Sequence, residues 1–252
     1  MRDKDFIRCG DDIVAWASGH LLELCEPEDY DPAYRKWSRD TLLYVPEKWK
    51  LKEKGYPSIL VSEPGLGKTI LVQRLVCDLS VGGPVWGGFS SSPPQNTLMF
   101  CGEAGLGMLN ERLESAGWNF DRERIKILDS RAAWKGGLYP ALDTDEGREV
   151  FRGFIEDVKP DLVVIDSLGS FVEDESGREA MKSVFDFLLS TGDRYGCAHL
   201  LAHHLRKRKN NERSLPLDMS EVIGSSVITR HSALVTGMEK RRRKDPAAGG
   251  RG

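Results

Sequence analysis

The stretch SILVSEPGLGKTILVQRLV, residues 58–76, constrains this chain more than any other. An apolar run enters a glycine-bearing turn, a Lys-Thr pair follows, and apolar residues then recur at helical spacing. A strand, a tight loop and a helix in that order make a backbone cradle for phosphate. The loop must curl so that successive N–H groups point inward at anionic oxygens. The helix behind it adds the positive end of its dipole. Gly65 and Gly67 permit the curl, Lys68 brings charge to the outer phosphates, and Thr69 places a hydroxyl for Mg²⁺. The contact stretch runs through Pro64, Gly65, Leu66, Gly67, Lys68, Thr69 and Ile70. One position departs from the pattern G-x-x-x-x-G-K-[ST]: Ser62 stands where the first glycine is expected. That is the point where strand turns into loop, the part of the pattern least involved in touching phosphate.

From Pro57 onward apolar strands alternate with amphipathic helices, the pattern of a parallel sheet covered on both faces. After the first strand and the helix KTILVQRLVCDLSV, NTLMFCGE reads as a strand and GLGMLNERLESAG as a helix. RIKILD and DLVVID are strands flanking the helix DEGREVFRGFIEDV, whose acidic start suits a helix N-terminus. REAMKSVFDFLLSTGDRYG and AHLLAHH complete another helix–strand unit, and SALVTGME is a last strand. The expected architecture is α/β, a mostly parallel central sheet with helices on both faces, over residues 57–240. Residues 1–56 form a mixed leader that packs on the core or serves assembly. Within it DDIVAWASGHLLELC reads as an amphipathic helix, with Ile13, Trp16, His20 and Leu21 or Leu24 on one face. The basic, Gly- and Ala-rich tail, 241–252, reads as flexible.

Composition closes off several classes. No apolar run reaches membrane-spanning length. The charged N-terminus MRDKDFIRCGDD is no signal peptide, so the expected compartment is the cytoplasm, with no membrane partner. A net charge of −3 means that any nucleic-acid role must come from a local patch. Five cysteines without a C-x-x-C pair argue against a disulfide framework and a zinc site. Cys77, Cys101 and Cys197 lie in apolar stretches and read as core residues.

Two acidic residues stand at strand ends. Asp166 closes the buried strand DLVVID, at the sheet edge where ligands gather in open α/β folds, and can hold Mg²⁺ through water. Glu103 closes NTLMFCGE, where a carboxylate can polarise the water that attacks a γ-phosphate. Three histidines crowd HLLAHH, but His203 and His204 are neighbours on a strand and face opposite sides, which argues against a shared metal ion. The segment LRKRKNNERSLPLDMSEV carries Arg206, Lys207, Arg208, Lys209 and Arg213 with little hydrophobicity. Such a run is a solvated loop or a phosphate-backbone contact for single-stranded nucleic acid.

The ordered set EPGLGKT, MFCGEAGLGMLNERL, DLVVIDSL, LLAHHLRK and IGSSVI resembles the RecA-like P-loop ATPases. It is most similar to the branch of RepA-type hexameric replicative helicases and related AAA-domain proteins of plasmids and phages. The resemblance spans Pro57 to Glu239. It implies ATP and Mg²⁺ as ligands, with Gly65, Gly67, Lys68 and Thr69 as the phosphate loop and Asp166 as the Mg²⁺ aspartate. It implies catalytic roles for Lys68, Glu103 and His204, with Glu103 activating water and His204 sensing the γ-phosphate. It also implies that Arg112 lies near the nucleotide and that the loop after His204 contacts DNA.

One position departs from that branch: where an arginine finger is expected, Ala233 stands. Arg230, or the K-x-R pair Lys240 and Arg242, are then the candidates for reaching a neighbour's ATP. The implied function is an oligomeric ATPase, a hexamer or filament, acting on single-stranded DNA as a helicase-type motor. Two alternatives stay open: a RecA- or KaiC-like assembly ATPase without unwinding, and a nucleotide-dependent switch with little turnover.

Overall fold

The computed structural model describes residues 6–8, 13–18, 57–83, 93–103, 105–130, 139–206, 219–224, 226–233 and 235–240. Among the described residues eight strands form one sheet: β1 (Phe6–Arg8), β2 (Ile13–Ser18), β3 (Ser58–Ser62), β4 (Thr97–Cys101), β5 (Ile125–Asp129), β6 (Leu162–Asp166), β7 (Ala198–His204) and β8 (Val235–Lys240). Their order across the sheet is β1-β2-β8-β3-β7-β6-β4-β5. The six strands from β8 to β5 are all parallel, and β1 and β2 continue the sheet antiparallel beyond β8. The helices are α1 (Lys68–Val81), α2 (Leu106–Ser115), α3 (Asp145–Val158), α4 (Arg178–Tyr195) and the short α5 (Val227–Arg230). The expected α/β architecture is what the chain adopts.

Period-two alternation along each parallel strand sends side chains into two cores. Leu60, Met99, Val164 and Leu200 join Leu71, Val72 and Leu75 of α1 and Leu109 and Leu113 of α2. Ile59, Val61, Phe100, Val163, Ile165 and Leu201 join Phe151 and Ile155 of α3 and Val184, Phe185 and Leu188 of α4. Because both faces are covered, β3, β4 and β6 are buried at every position, which is why they read as unbroken apolar runs. The α3 helix starts where its sequence says it should. The Thr144 hydroxyl accepts from the Gly147 N–H, and Asp145 and Glu146 sit in the first turn against the helix dipole. The cysteines at 77, 101 and 197 are buried and in no disulfide among the described residues. Burial pushes the Cys77 thiol up to about 12, beyond use as a nucleophile at neutral pH.

The leader overturns one expectation. Residues 13–18 are a strand, not the start of an amphipathic helix, paired from Ile13↔Lys240 to Ser18↔Val235. Two causes favour this. Adjacent β-branched Ile13 and Val14 are poor helix formers and good strand formers. Without β2, moreover, β8 would present a row of unpaired backbone groups at the sheet edge. The rest of that segment, from Gly19 to Cys25, and the tail 241–252 lie outside the described residues.

One core residue makes stability depend on pH. His199, on β7, is 2% exposed and lies against Phe151 with ring centroids 6.4 Å apart. Neither of its ring nitrogens has a hydrogen-bond partner among the described residues. Burial lowers its pKa from 6.5 to about 3. Above pH 6.5 the ring is neutral in both folded and unfolded chains and contributes no pH dependence. Below 6.5 the unfolded chain takes a proton that the folded chain refuses, so stability falls until pH reaches about 3. Urea unfolding of wild type and His199→Leu is expected to show the gap between them widening in the variant's favour. Between pH 6.5 and 5 it should grow by about 1.6 kcal/mol. A gap that stays constant with pH would refute the neutral buried ring.

Candidate nucleotide site

The parallel register brings the C-terminal ends of four adjacent strands to one edge. Ser62 of β3 is level with His204 of β7, and Asp166 of β6 is level with Ala202 of β7 and Cys101 of β4. Residues far apart in the chain are therefore neighbours there. The loop between β3 and α1 arches over this edge. Gly65 and Gly67 both lie in the left-handed region, at φ 81° and 96°, a conformation that favours residues without a Cβ. Gly67 caps α1, and its carbonyl receives the Leu71 N–H at 3.0 Å. Pro64, Gly65 and Ile70 are exposed, whereas Lys68 at the helix start is 6% exposed.

Lys68 is the centre of a continuous chain of hydrogen bonds. Its ammonium donates to the Ser62 carbonyl at 3.3 Å, to Ser62 Oγ at 3.1 Å and to His204 Nδ1 at 3.2 Å. An ammonium can only donate, so His204 Nδ1 accepts, and its Nε2 carries the hydrogen. That Nε2 donates to Glu103 Oε1 at 2.9 Å. The same oxygen accepts from Ser167 Oγ at 2.7 Å. Lys68, His204 and Glu103, drawn from α1, β7 and the turn after β4, thus form one bonded unit.

The charges follow from this geometry. Burial lowers the Lys68 pKa, and the nearby Asp166 and Glu103 carboxylates only partly offset that. Burial alone would raise the Glu103 pKa, but bonds from His204 and Ser167, with the charge of Lys68, bring it below the ordinary value. Glu103 is therefore an ionised carboxylate at neutral pH. Asp166 goes the other way: burial raises its pKa against the hydrogen bond from Thr69. Thr69 and Asp166 together offer a hydroxyl and a carboxylate in contact, hard oxygen donors of the kind Mg²⁺ takes along with waters and phosphate.

Close packing fixes where Glu103 can be. The Gly102 N–H donates to the Asp166 carbonyl at 2.7 Å. A Cβ on Gly102 would lie 2.1 Å from the Cβ of Ser170, so only glycine lets the turn after β4 lie against the turn after β6. Gly102 and Ser167 are site residues that sequence reasoning passed over. The signal for both was adjacency, since each directly neighbours a strand-end acid, in CGE and IDS.

Other sequence candidates fall elsewhere. His203 points away from the edge that His204 serves, and its Nε2 meets the Ile223 carbonyl at 2.8 Å. Among the described residues no group of three or more His, Cys, Asp or Glu could hold a metal ion. Arg112 lies in the last turn of α2, outside the bonded unit. The loop after β7 is tied at its base: Arg206 N donates to the Glu221 carbonyl, Ile223 N to the His204 carbonyl, and Leu205 bridges Val222. Arg206 is exposed, while Lys207, Arg208, Lys209 and Arg213 lie outside the described residues.

Of the trans-acting candidates, Arg230 is exposed at the end of α5. Three residues on, Ala233 N bonds the Pro57 carbonyl at the entry end of β3, opposite the phosphate loop. From there β8 runs parallel to β3 toward the phosphate loop, so the Lys240 backbone lies past the point level with Ser62, at the loop edge. Arg242 is outside the described residues. Among the described residues no helix is long and apolar enough to cross a membrane.

Comparison with known proteins gives two results of different reach. Short stretches are similar to DNA topoisomerase 3. Identity with that of Haemophilus influenzae is 51% over 52 residues, 20% of this chain and 8% of that protein. With that of Vibrio cholerae it is 44% over 54 residues, 21% and 8%. The chain thus spans less than a tenth of the length of these relatives. Each match is shorter than the stretch from Lys68 to Asp166, so none contains the whole site. The family model described as AAA domain, in contrast, matches residues 45–210 and takes in Lys68, Glu103, Asp166 and His204 together. The chain belongs to that AAA domain family of P-loop ATPases.

Proposed function

We propose that this chain is an ATP-hydrolysing, RecA/RepA-like oligomeric protein that acts on single-stranded DNA as a helicase-type motor. The observation that carries the proposal is the bonded unit Lys68–His204–Glu103, because it joins a phosphate-binding cation to a general base through one residue. In this reading Lys68 and the loop N–H groups hold the β- and γ-phosphates. Thr69 and Asp166 would hold Mg²⁺, which neutralises charge on the phosphates. Glu103 takes the proton from a water whose oxygen attacks the γ-phosphorus, and the bond to the ADP oxygen breaks. His204 and Ser167 hold Glu103 in place. The direction of β8 favours Lys240 over Arg230 as a cation that completes a neighbour's site.

The link to nucleic acid rests on position. His204 ends β7, and the basic loop begins two residues later, closed at its base by the Leu205–Val222 bridge. In this reading a phosphate bound at His204 acts on the loop that follows it. Neutralising Arg206, Lys207, Arg208 and Lys209 together is expected to weaken single-stranded DNA binding. The slope of log affinity against log salt should become shallower by about 0.7 for each phosphate that the loop no longer neutralises. An unchanged slope would leave the loop a solvated one.

Mass measurement with and without ATP and single-stranded DNA, beside a turnover assay, tests the whole proposal. DNA-stimulated turnover by a hexamer supports the motor, and a DNA-bound filament supports the assembly ATPase. A second reading, a nucleotide-dependent switch, is favoured by Ala233 standing where the family places its finger. A site lacking that cation loses orders of magnitude in rate.

A further inference from the structure

Ser62 is the residue that breaks the loop pattern, and the structure gives its side chain a partner the pattern does not have. Ser62 is fully buried at the end of β3. Its hydroxyl donates to the Glu63 carbonyl at 2.8 Å and accepts from Lys68 Nζ at 3.1 Å. Lys68 has three ammonium hydrogens, and the Ser62 carbonyl, the Ser62 hydroxyl and His204 Nδ1 take all three. A glycine at position 62 would supply the carbonyl but not the hydroxyl.

We propose that Ser62 is a positioning residue that holds Lys68 in a rest position and so sets the affinity for nucleotides carrying a β-phosphate. This rests on the reading of Lys68 as the phosphate-binding cation. To reach β- and γ-oxygens, Lys68 must free two of its three hydrogens. His204 Nδ1 is one acceptor to be given up: the Nε2 bond to Glu103 fixes the ring, so Lys68 is the partner that moves away. Of the two Ser62 acceptors, the carbonyl is fixed by the backbone and stays. The hydroxyl is on a single rotatable bond and is the one released. Each nucleotide-binding event therefore includes breaking the Lys68–Ser62 hydroxyl bond, and deleting that hydroxyl removes the cost.

The test is calorimetric titration of the full chain with Mg²⁺ and ATP, ADP or AMP. Both Ser62→Ala and Ser62→Gly are expected to bind ATP and ADP about tenfold more tightly than wild type, the lower end for a hydrogen bond to a charged group. AMP, which has no β-phosphate for Lys68 to reach, should bind all three proteins equally. Thermal unfolding without nucleotide checks that each variant is folded, and either variant alone suffices. Unchanged or weaker ATP binding overturns the proposal. Equal tightening for AMP also overturns it, since the gain would then belong to loop shape and not to Lys68. Lys68→Ala separates the two levels. If it binds ATP as wild type does, the phosphate-site reading itself fails. If it loses ATP while the Ser62 variants are neutral, only the rest position fails.

Discussion

Replacing Lys68 by alanine is expected to lower ATP affinity at least a hundredfold and to abolish turnover. The ammonium makes charge-assisted bonds worth about 1.5–3 kcal/mol each. Two such bonds to the β- and γ-phosphates correspond to a factor of about 10² to 10⁴. The lower end applies, because wild-type Lys68 must first leave Ser62 and His204. The fold should not suffer in proportion. Lys68 is a buried cation whose charge burial already disfavours, so its loss relieves a desolvation cost as well as breaking bonds. Thermal unfolding distinguishes the two effects. Saturation of wild type at a hundred times Kd contributes about 2.7 kcal/mol, a rise in Tm of about 5–10 °C for a chain of this size. Lys68→Ala should unfold near the nucleotide-free wild type and show no rise with ATP at the same concentration. A full rise would remove the nucleotide from this loop.

That loop was the most legible part of the sequence, for a local reason. Strand, Gly65, Gly67, Lys68, Thr69 and helix are contiguous, so one window contains the whole cause of the structure. The elements α1, α3 and β7 were readable in the same way, since each carries a full period of apolar residues and its own ends. The strand at Ile13–Ser18 was not. Its apolar spacing suits a helix, and its strand state depends on β8, at the far end of the chain. The site divides along the same line. The types of Glu103, Asp166 and His204, and their places at or just past strand ends, could be read from the sequence. Their joining could not be, because β7 lies between β3 and β6 only through the order of the sheet. Ser62 shows this most sharply. As a letter in a motif it was a tolerated departure at a position remote from phosphate. In the fold it is level with His204 and bonded to the lysine between them.

The exchange Glu103→Gln separates the charge at the centre of that unit from its geometry. Glutamine keeps an oxygen where Oε1 accepts from Ser167 and His204, so the bonded chain from Lys68 should survive. It cannot take a proton from water. Loss of a general base is worth about 10² to 10⁴ in rate, and the loss should fall on kcat while ATP affinity stays within about twofold. The pH profile gives an independent check. Because His204, Ser167 and Lys68 together hold the Glu103 carboxyl below its ordinary value of 4.5, the acid limb that it sets lies below that pH. Wild-type turnover limited by Glu103 should therefore be flat through neutrality, and the variant should lose the limb altogether. Wild-type rates in Glu103→Gln would remove Glu103 from the chemistry. If wild type binds ATP but does not turn it over, and the exchange changes nothing, the chain is the nucleotide-dependent switch. The Lys68–His204–Glu103 unit would then report a bound phosphate without cleaving it.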